Sequence, residues 1–157
     1  MADLDAALAL TVEKFQGMTD KEGDPYILHC LRVMMGVQGQ EARIVALMHD
    51  LVEDTDVTLD DLRQRGFSSA VVDGIDCITH REGISYSDYV IHLKSNPLSR
   101  AAKISDLHDN YSLNRVILRP GKESQDRKRI QKYILSFQFL QDRIEESEYL
   151  KRMAELT

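Results

Sequence analysis

Residues 41–56, EARIVALMHDLVEDTD, constrain the fold more than any other stretch. Ile44, Val45, Leu47, Met48, Leu51 and Val52 are so densely spaced that a helix built from them has almost no clean polar side, and such a helix is buried. The same stretch holds His49, Asp50, Glu53 and Asp54 within six positions. Residues four apart share a helical face, so one continuous helix would stack His49 on Glu53 and Asp50 on Asp54. Three carboxylates and an imidazole in a buried helix are costly unless something neutralises them. A divalent metal ion would do so. The alternative is a surface helix with a solvated acidic end, but carboxylates at a helix C-terminus oppose the macrodipole.

Helical spacing also dominates the rest of the chain. No segment alternates at period two for a useful length, and there is no internal repeat, low-complexity tract or linker rich in Pro, Gly or Ser. A chain of 157 residues is large enough to bury a real core, and one domain over 1–157 is expected. The fold class expected is all-α, a compact multi-helix bundle. Asp3 caps a helix over 4–16 whose inward stripe is Leu4, Leu8, Thr11 and Phe15. Asp24-Pro25 opens a second helix over 25–37. Thr58 and Asp61 stand in capping-box spacing, and Gly66 ends the helix they open. A helix follows over 69–79. The Ser85 and Asp88 pair opens another to 94, and Asn96-Pro97 one to 111. A long helix over 124–146 turns Ile130, Tyr133, Ile134, Phe137 and Leu140 inward, and a short one covers 149–156. Polar connections occupy 17–24, 80–85 and 119–121.

The formal net charge of −6, with no long basic run, argues against a nucleic-acid-binding surface. It leaves room for an anionic small molecule, because a metal and a few local cations can outweigh the global charge. Cys30 and Cys77, far apart in apolar contexts, read as buried small hydrophobes rather than a disulfide. The acidic start MADLDAALAL does not suit a signal peptide. No stretch approaches the ~18 apolar residues of a membrane span. A cytoplasmic protein is the default, and the pattern is compatible with a monomer or a homo-oligomer.

Of five histidines, His29 and His49 lie among apolar residues on expected core helices, where a lone histidine is ordinarily a satisfied core residue. The balance moves because Asp50 follows His49 directly and Asp106 sits on a separate helix behind Ala101, Ala102 and Ile104. Histidine and carboxylate ligands with open positions suit Mn, Fe or Zn. On a helix His49 and Asp50 point about 100° apart, yet they can still converge on one ion. Asp106, Asp109 and Asn110 fall at i, i+3 and i+4, on one face. For Asp109 a solvated position is an equal alternative. His80, Arg81, Tyr86 and Tyr89, in HREGISYSDY, either reach a pocket mouth or belong to a polar connection with a capped start.

PYILH at 25–29, HDLVEDT at 49–55 and KISDLHDN at 103–110 resemble the motifs of HD-domain metal-dependent phosphohydrolases. Within them the likeness is to the RelA/SpoT-type hydrolase domain and its small stand-alone versions. That family shows PY-x-x-H, HD-x-x-ED-T, and K-x-x-D with an asparagine four residues after the Asp. All three blocks occur in order, and the resemblance spans residues 3–140. It implies that His29, His49, Asp50 and Asp106 ligate a divalent metal, usually Mn²⁺, and that Glu53 and Asp54 form the catalytic acidic pair. It further implies that Lys21, Tyr26, Lys103 and Asn110 meet the substrate. The implied reaction removes pyrophosphate from the 3′ side of guanosine tetra- or pentaphosphate, the alarmone of the stringent response, and no synthetase region accompanies it. Lys21, Lys103 and Arg81 are the cations expected to offset the substrate phosphates. The chain departs from the family at Phe15 (His there), Asp20 (Arg), Cys30 (Pro), Asp109 (His or Tyr) and Ser112 (Arg). The Arg-Lys pair, of which only Lys21 is kept, is associated with base recognition. A phosphohydrolase for another nucleotide or phosphoester is therefore the alternative.

Overall fold

Helix ends are largely encoded by local sequence. The computed structural model describes residues 1–113, 115 and 118–156; residues 114, 116 and 117, just past the third motif block, and Thr157 lie outside it. The described residues form ten helices: α1 Leu4–Lys14, α2 Ile27–Met35, α3 Gln40–Leu47, α4 Leu51–Asp54, α5 Leu59–Gln64, α6 Ser69–Ile78, α7 Tyr86–Leu93, α8 Pro97–Asn110, α9 Glu123–Leu140 and α10 Glu146–Ala154. Asp3 accepts from the Ala6 N–H, and Thr58 with Asp61 forms a complete capping box. Ser85 accepts from Asp88 N–H, and Asn96 accepts from Leu98 and Ser99 ahead of Pro97 at the first turn. Gly66 takes φ +85° after α5, a conformation that costs glycine nothing.

α3 lies at the centre and packs against α1, α2, α6 and α8. Val45, Leu47, Met48 and Leu51 are fully buried there. A second apolar cluster joins α7, α9 and α10, with Phe139 stacked on Tyr149 at 4.6 Å between ring centroids. α8 touches α2, α3, α6 and α9, and so bridges the two clusters. Where α2 meets α8 the approach is close. A Cβ on Gly36 would fall 2.1 Å from Ser105 Oγ, which itself donates to Val33 C=O at 2.7 Å. This contact presses the motif-bearing faces of the two helices together. No helix among the described residues is long and apolar enough to cross a membrane.

Three expectations are corrected. First, 41–56 is not one helix. Met48 (φ −99°, ψ 13°) and Asp50 (φ −102°, ψ 1°) leave helical geometry for the bridge region, so His49 and Asp50 sit in a break between α3 and α4. The cause is side-chain competition with the helical ladder. His49 Nδ1 lies 2.8 Å from Ala46 C=O, and Tyr26 donates its hydroxyl to Asp50. Second, Asp24 does not cap α2, whose N-terminus lacks a side-chain cap. Asp24 instead closes its own loop, its N–H donating to Asp20 Oδ1 at 3.0 Å while its C=O accepts from Asp20 N–H at 2.8 Å. Third, the long helix stops at Leu140 and α10 begins three residues before the expected start at 149. Arg100 Nε donates to Leu140 C=O at 2.7 Å, and Asp142, at φ +58°, pairs with Lys94 at 2.8 Å. These partners are remote in sequence, so the stop has no local signal. Leu140 is fully buried as expected, but Ile134 faces outward, and Leu135, Ser136 and Phe139 are buried beside Leu140.

Candidate metal centre

The break after α3 decides the geometry of the site. Freed from the 100° spacing of a helix, His49 and Asp50 aim at one point, with His49 Nε2 2.8 Å from Asp50 Oδ2. His29 enters from α2 and Asp106 from α8. His29 Nε2 is 3.2 Å from Asp106 Oδ1 and 3.9 Å from Asp50 Oδ2, and His49 Nε2 is 3.6 Å from Asp106 Oδ1. The four residues that the motif resemblance assigns to a metal therefore converge, and ligand atoms of His29, His49 and Asp50 all lie within 4.8 Å of one another.

The donor set fits a dication. His49 is only 2% exposed, and its Nε2 makes no hydrogen bond of acceptable geometry although carboxylate oxygens surround it. A buried polar atom left without a partner is uncommon and calls for one. Burial disfavours a charged His49, yet Asp50 and Asp106 still push its pKa well above the ordinary value. These carboxylates thus draw positive charge into the site. His29 and His49 present nitrogens, and Asp50 and Asp106 oxygens, a mixture suited to Mn, Fe or Zn.

Each carboxylate also has a support. Asp106 Oδ2 accepts from Lys103 Nζ at 2.8 Å and Oδ1 from Asn110 Nδ2 at 2.6 Å. Asp50 accepts from the Tyr26 hydroxyl. Lys103, Asn110 and Tyr26 were expected at the substrate, and all three line the pocket. Their hydrogen bonds nevertheless go to the acidic residues at its floor.

Above this floor opens a cavity of about 520 Å³. Glu53 and Asp54 border it from α4, and both are solvent-exposed. The His80 N–H donates to Glu53 Oε2 at 3.0 Å, fixing that carboxylate. Although the residue is exposed overall, partial desolvation of its carboxyl, followed by the charges of Asp50 and Glu53, raises Asp54 to about 6. Lys21, Lys103, Arg115, Arg119 and Arg129 also line the cavity. Burial and the neighbouring Arg129 and Arg119 lower the pKa of Lys21. Arg81 is not among these cations. It pairs with Asp76, away from the pocket, which corrects its expected role. His80 stacks on Tyr89 at 4.6 Å, and Lys103 lies over the Tyr89 ring at 5.4 Å. His80, Tyr86 and Tyr89 do not line the pocket themselves; they stand behind Glu53 and Lys103, which do.

Sequence reasoning missed three contributors. Asp109, given even odds of being solvated, is buried, and its Oδ2 is 2.7 Å from His29 Nδ1. Its place one turn after Asp106 on an apolar face was the available signal. Burial would raise Asp109, but hydrogen bonds from His29, Arg32 and Arg115 hold it well below the usual carboxylate range. Arg115 comes from the α8–α9 connection, where no periodicity points to it. It meets Asp109, Asp20 and Glu22. Asp20, which stands where the family has Arg, therefore anchors an arginine delivered from elsewhere.

Asp126 is the third. It is fully buried, binding Arg119 Nη2 at 2.6 Å and Arg129 Nη1 at 3.0 Å. The Arg119 side chain and backbone N–H hold its carboxyl far below the ordinary value. A depressed pKa contributes stability that is present above the unfolded value of about 3.9 and is lost as pH falls. Asp126→Asn should therefore destabilise the protein at pH 7, with the deficit shrinking as pH drops below about 4. Urea melts across that range check this, and a pH-independent deficit would contradict it.

No protein-family model matches the chain. Over 131 residues it is 30% identical to a GTP pyrophosphokinase of Streptomyces coelicolor, covering 75% of this chain and 15% of that protein. Over 120 residues it is 28% identical to a guanosine-3′,5′-bis(diphosphate) 3′-pyrophosphohydrolase of Aquifex aeolicus, covering 69% of this chain and 17% of that one. The chain thus spans less than a fifth of the length of these curated relatives. A solved structure, described as a metazoan ortholog of SpoT that hydrolyses ppGpp and plays a role in starvation responses, superposes with a TM-score of 0.65 at 17% identity. That match covers 96% of this chain and 90% of the other. With its all-helical fold and three motif blocks, the chain is similar in sequence to proteins of the RelA/SpoT type and shares the fold of the solved SpoT ortholog.

Proposed function

We propose that the chain is a metal-dependent pyrophosphohydrolase of a hyperphosphorylated guanosine nucleotide, releasing pyrophosphate from the 3′ side, with Mn²⁺ as its metal. The observation that carries this function is the convergence of His29, His49, Asp50 and Asp106 at the floor of a pocket, with the buried His49 Nε2 making no hydrogen bond of acceptable geometry. The pocket is lined by carboxylates and by the cations Lys21, Lys103, Arg115, Arg119 and Arg129. His29, His49, Asp50 and Asp106 would hold the ion. When bound, the dication lowers the pKa of a water ligand and polarises phosphoryl oxygens.

The remaining roles fall to the chain's own residues. Asp54, raised to about 6, sits in the range where a carboxylate can accept a proton from the attacking water and return it to a leaving group. Glu53, fixed by the His80 N–H, orients that water. Lys21, Arg115, Arg119 and Arg129 form the wall against which phosphates would lie, with Asp126 holding the last two in place. Pre-set cations of this kind stabilise charge without reorganising.

A second substrate class, another nucleotide or phosphoester, is favoured by one observation. Asp20 occupies the position where the family has a base-associated Arg. Purified protein with Mn²⁺ should release pyrophosphate from guanosine 3′,5′-bis(diphosphate) and prefer it within a panel of nucleotides and phosphoesters. Turnover of another panel member alone would transfer the activity to that class. No turnover with any metal or substrate would remove the proposal.

A further inference from the structure

His29 Nδ1 is offered two partners that exclude each other. Asp109 Oδ2 lies 2.7 Å away and can only accept; Arg115 Nη1 lies 2.8 Å away and can only donate. If Nδ1 carries the proton, it donates to Asp109, and Nε2 keeps its lone pair toward Asp50 and Asp106. If Nδ1 is bare, it accepts from Arg115, and the proton sits on Nε2, which then cannot ligate. Asp109 tips this choice. Its carboxylate also takes hydrogen bonds from Arg32 Nε at 2.6 Å and from Arg115 itself, so it engages the guanidinium that would otherwise turn to the imidazole.

We propose that Asp109 is a positioning residue for the metal centre: by accepting from His29 Nδ1 and engaging Arg115, it holds His29 in the tautomer whose Nε2 is free to bind a divalent cation. This rests on the metal-binding function proposed above. The same Arg115 reaches Asp20 Oδ2 at 3.4 Å and Glu22 Oε2 at 3.6 Å. The 17–24 loop therefore helps to hold the arginine that Asp109 restrains. An outer partner of this type fixes ring orientation and raises ligand basicity.

The test is Mn²⁺ titration by calorimetry into chelator-stripped protein. Asp109→Ala should bind Mn²⁺ about 10–100-fold more weakly than the unmodified protein. Asp109→Asn, which keeps an acceptor oxygen, should fall between the two, and it carries the test if the alanine variant does not fold. Adding Arg115→Ala to Asp109→Ala should recover part of the affinity, because the competing donor is gone. Long-range ¹H–¹⁵N spectra of metal-free protein, at a pH alkaline enough for the imidazole to be neutral, can locate the His29 proton. It should be on Nδ1 in the unmodified protein and divided between the nitrogens in Asp109→Ala. Unchanged affinity with an unchanged spectrum in Asp109→Ala would overturn the proposal. Failure of the unmodified protein to take up metal would instead remove the metal centre. The proton position in metal-free protein at alkaline pH then decides the role of Asp109 by the same comparison.

Discussion

His49→Ala should purify folded, carry no stoichiometric metal and lose turnover by more than about 100-fold, since even an outer-shell partner is worth 10–100-fold. The alanine removes the buried nitrogen that faces the carboxylates of Asp50 and Asp106. Its effect on stability should be modest once both proteins are stripped of metal. Asp106 still meets Lys103 at 2.8 Å and Asn110 at 2.6 Å, and Asp50 keeps the Tyr26 hydroxyl. The large loss of stability should appear only on comparing metal-loaded proteins, because binding to the folded state alone adds RT ln(1 + [L]/Kd). Asp54→Asn supplies the contrast. It leaves the four floor residues in place and should keep its metal, while turnover falls by about 10²–10⁴-fold, the usual worth of an acid–base group. Elemental analysis and pyrophosphate release read both effects. Normal metal in His49→Ala would end the ligand assignment, and full turnover in Asp54→Asn would end the role given to the acidic pair.

What the sequence could reveal follows from the range of each interaction. Caps are local, so Asp3, Thr58, Ser85 and Asn96 were readable as helix starts. The three blocks named the residues that converge through their resemblance to a known family, which spacing alone would not have supplied. The break at His49–Asp50 was hidden because no glycine or proline marks it. It depends on Tyr26, 24 residues away, and on a side-chain contact with the Ala46 carbonyl. Arg115, Asp109 and Asp126 were hidden for a related reason. Charged residues on helices and loops are usually solvated, and only the assembled fold shows that these three are buried or paired across long separations. The cation expected from Arg81 was lost to Asp76, five residues away, an exposed pair with no bearing on the pocket.

Lys103→Met should be among the most destabilising single changes outside the apolar core. Lys103 and Asp106 form a buried pair, with side chains 13% and 5% exposed. Burial alone would lower the lysine pKa and raise the aspartate. Their mutual attraction wins in both, with Lys103 held well above and Asp106 well below its ordinary value. Methionine keeps much of the stem's volume near Tyr86 and Tyr89 but removes the ammonium that donates to Asp106 at 2.8 Å. Breaking one half of a buried pair costs about 3–5 kcal/mol. At about 2–4 °C per kcal/mol for a chain of this size, Tm in chelator should drop by roughly 6–20 °C. The same substitution at Lys14 provides a control. Its partner Asp56 is 79% exposed, and solvent screening leaves surface pairs of this kind little effect on stability. Mn²⁺ should restore a large part of the loss in Lys103→Met, because a dication held by Asp106 supplies the missing positive charge. That recovery links the lysine to the metal and distinguishes lost charge from lost packing. A Lys103→Met protein as stable as the unmodified one in chelator would show that Asp106 does not depend on this cation. A loss that Mn²⁺ leaves untouched would show that the lysine acts through its stem.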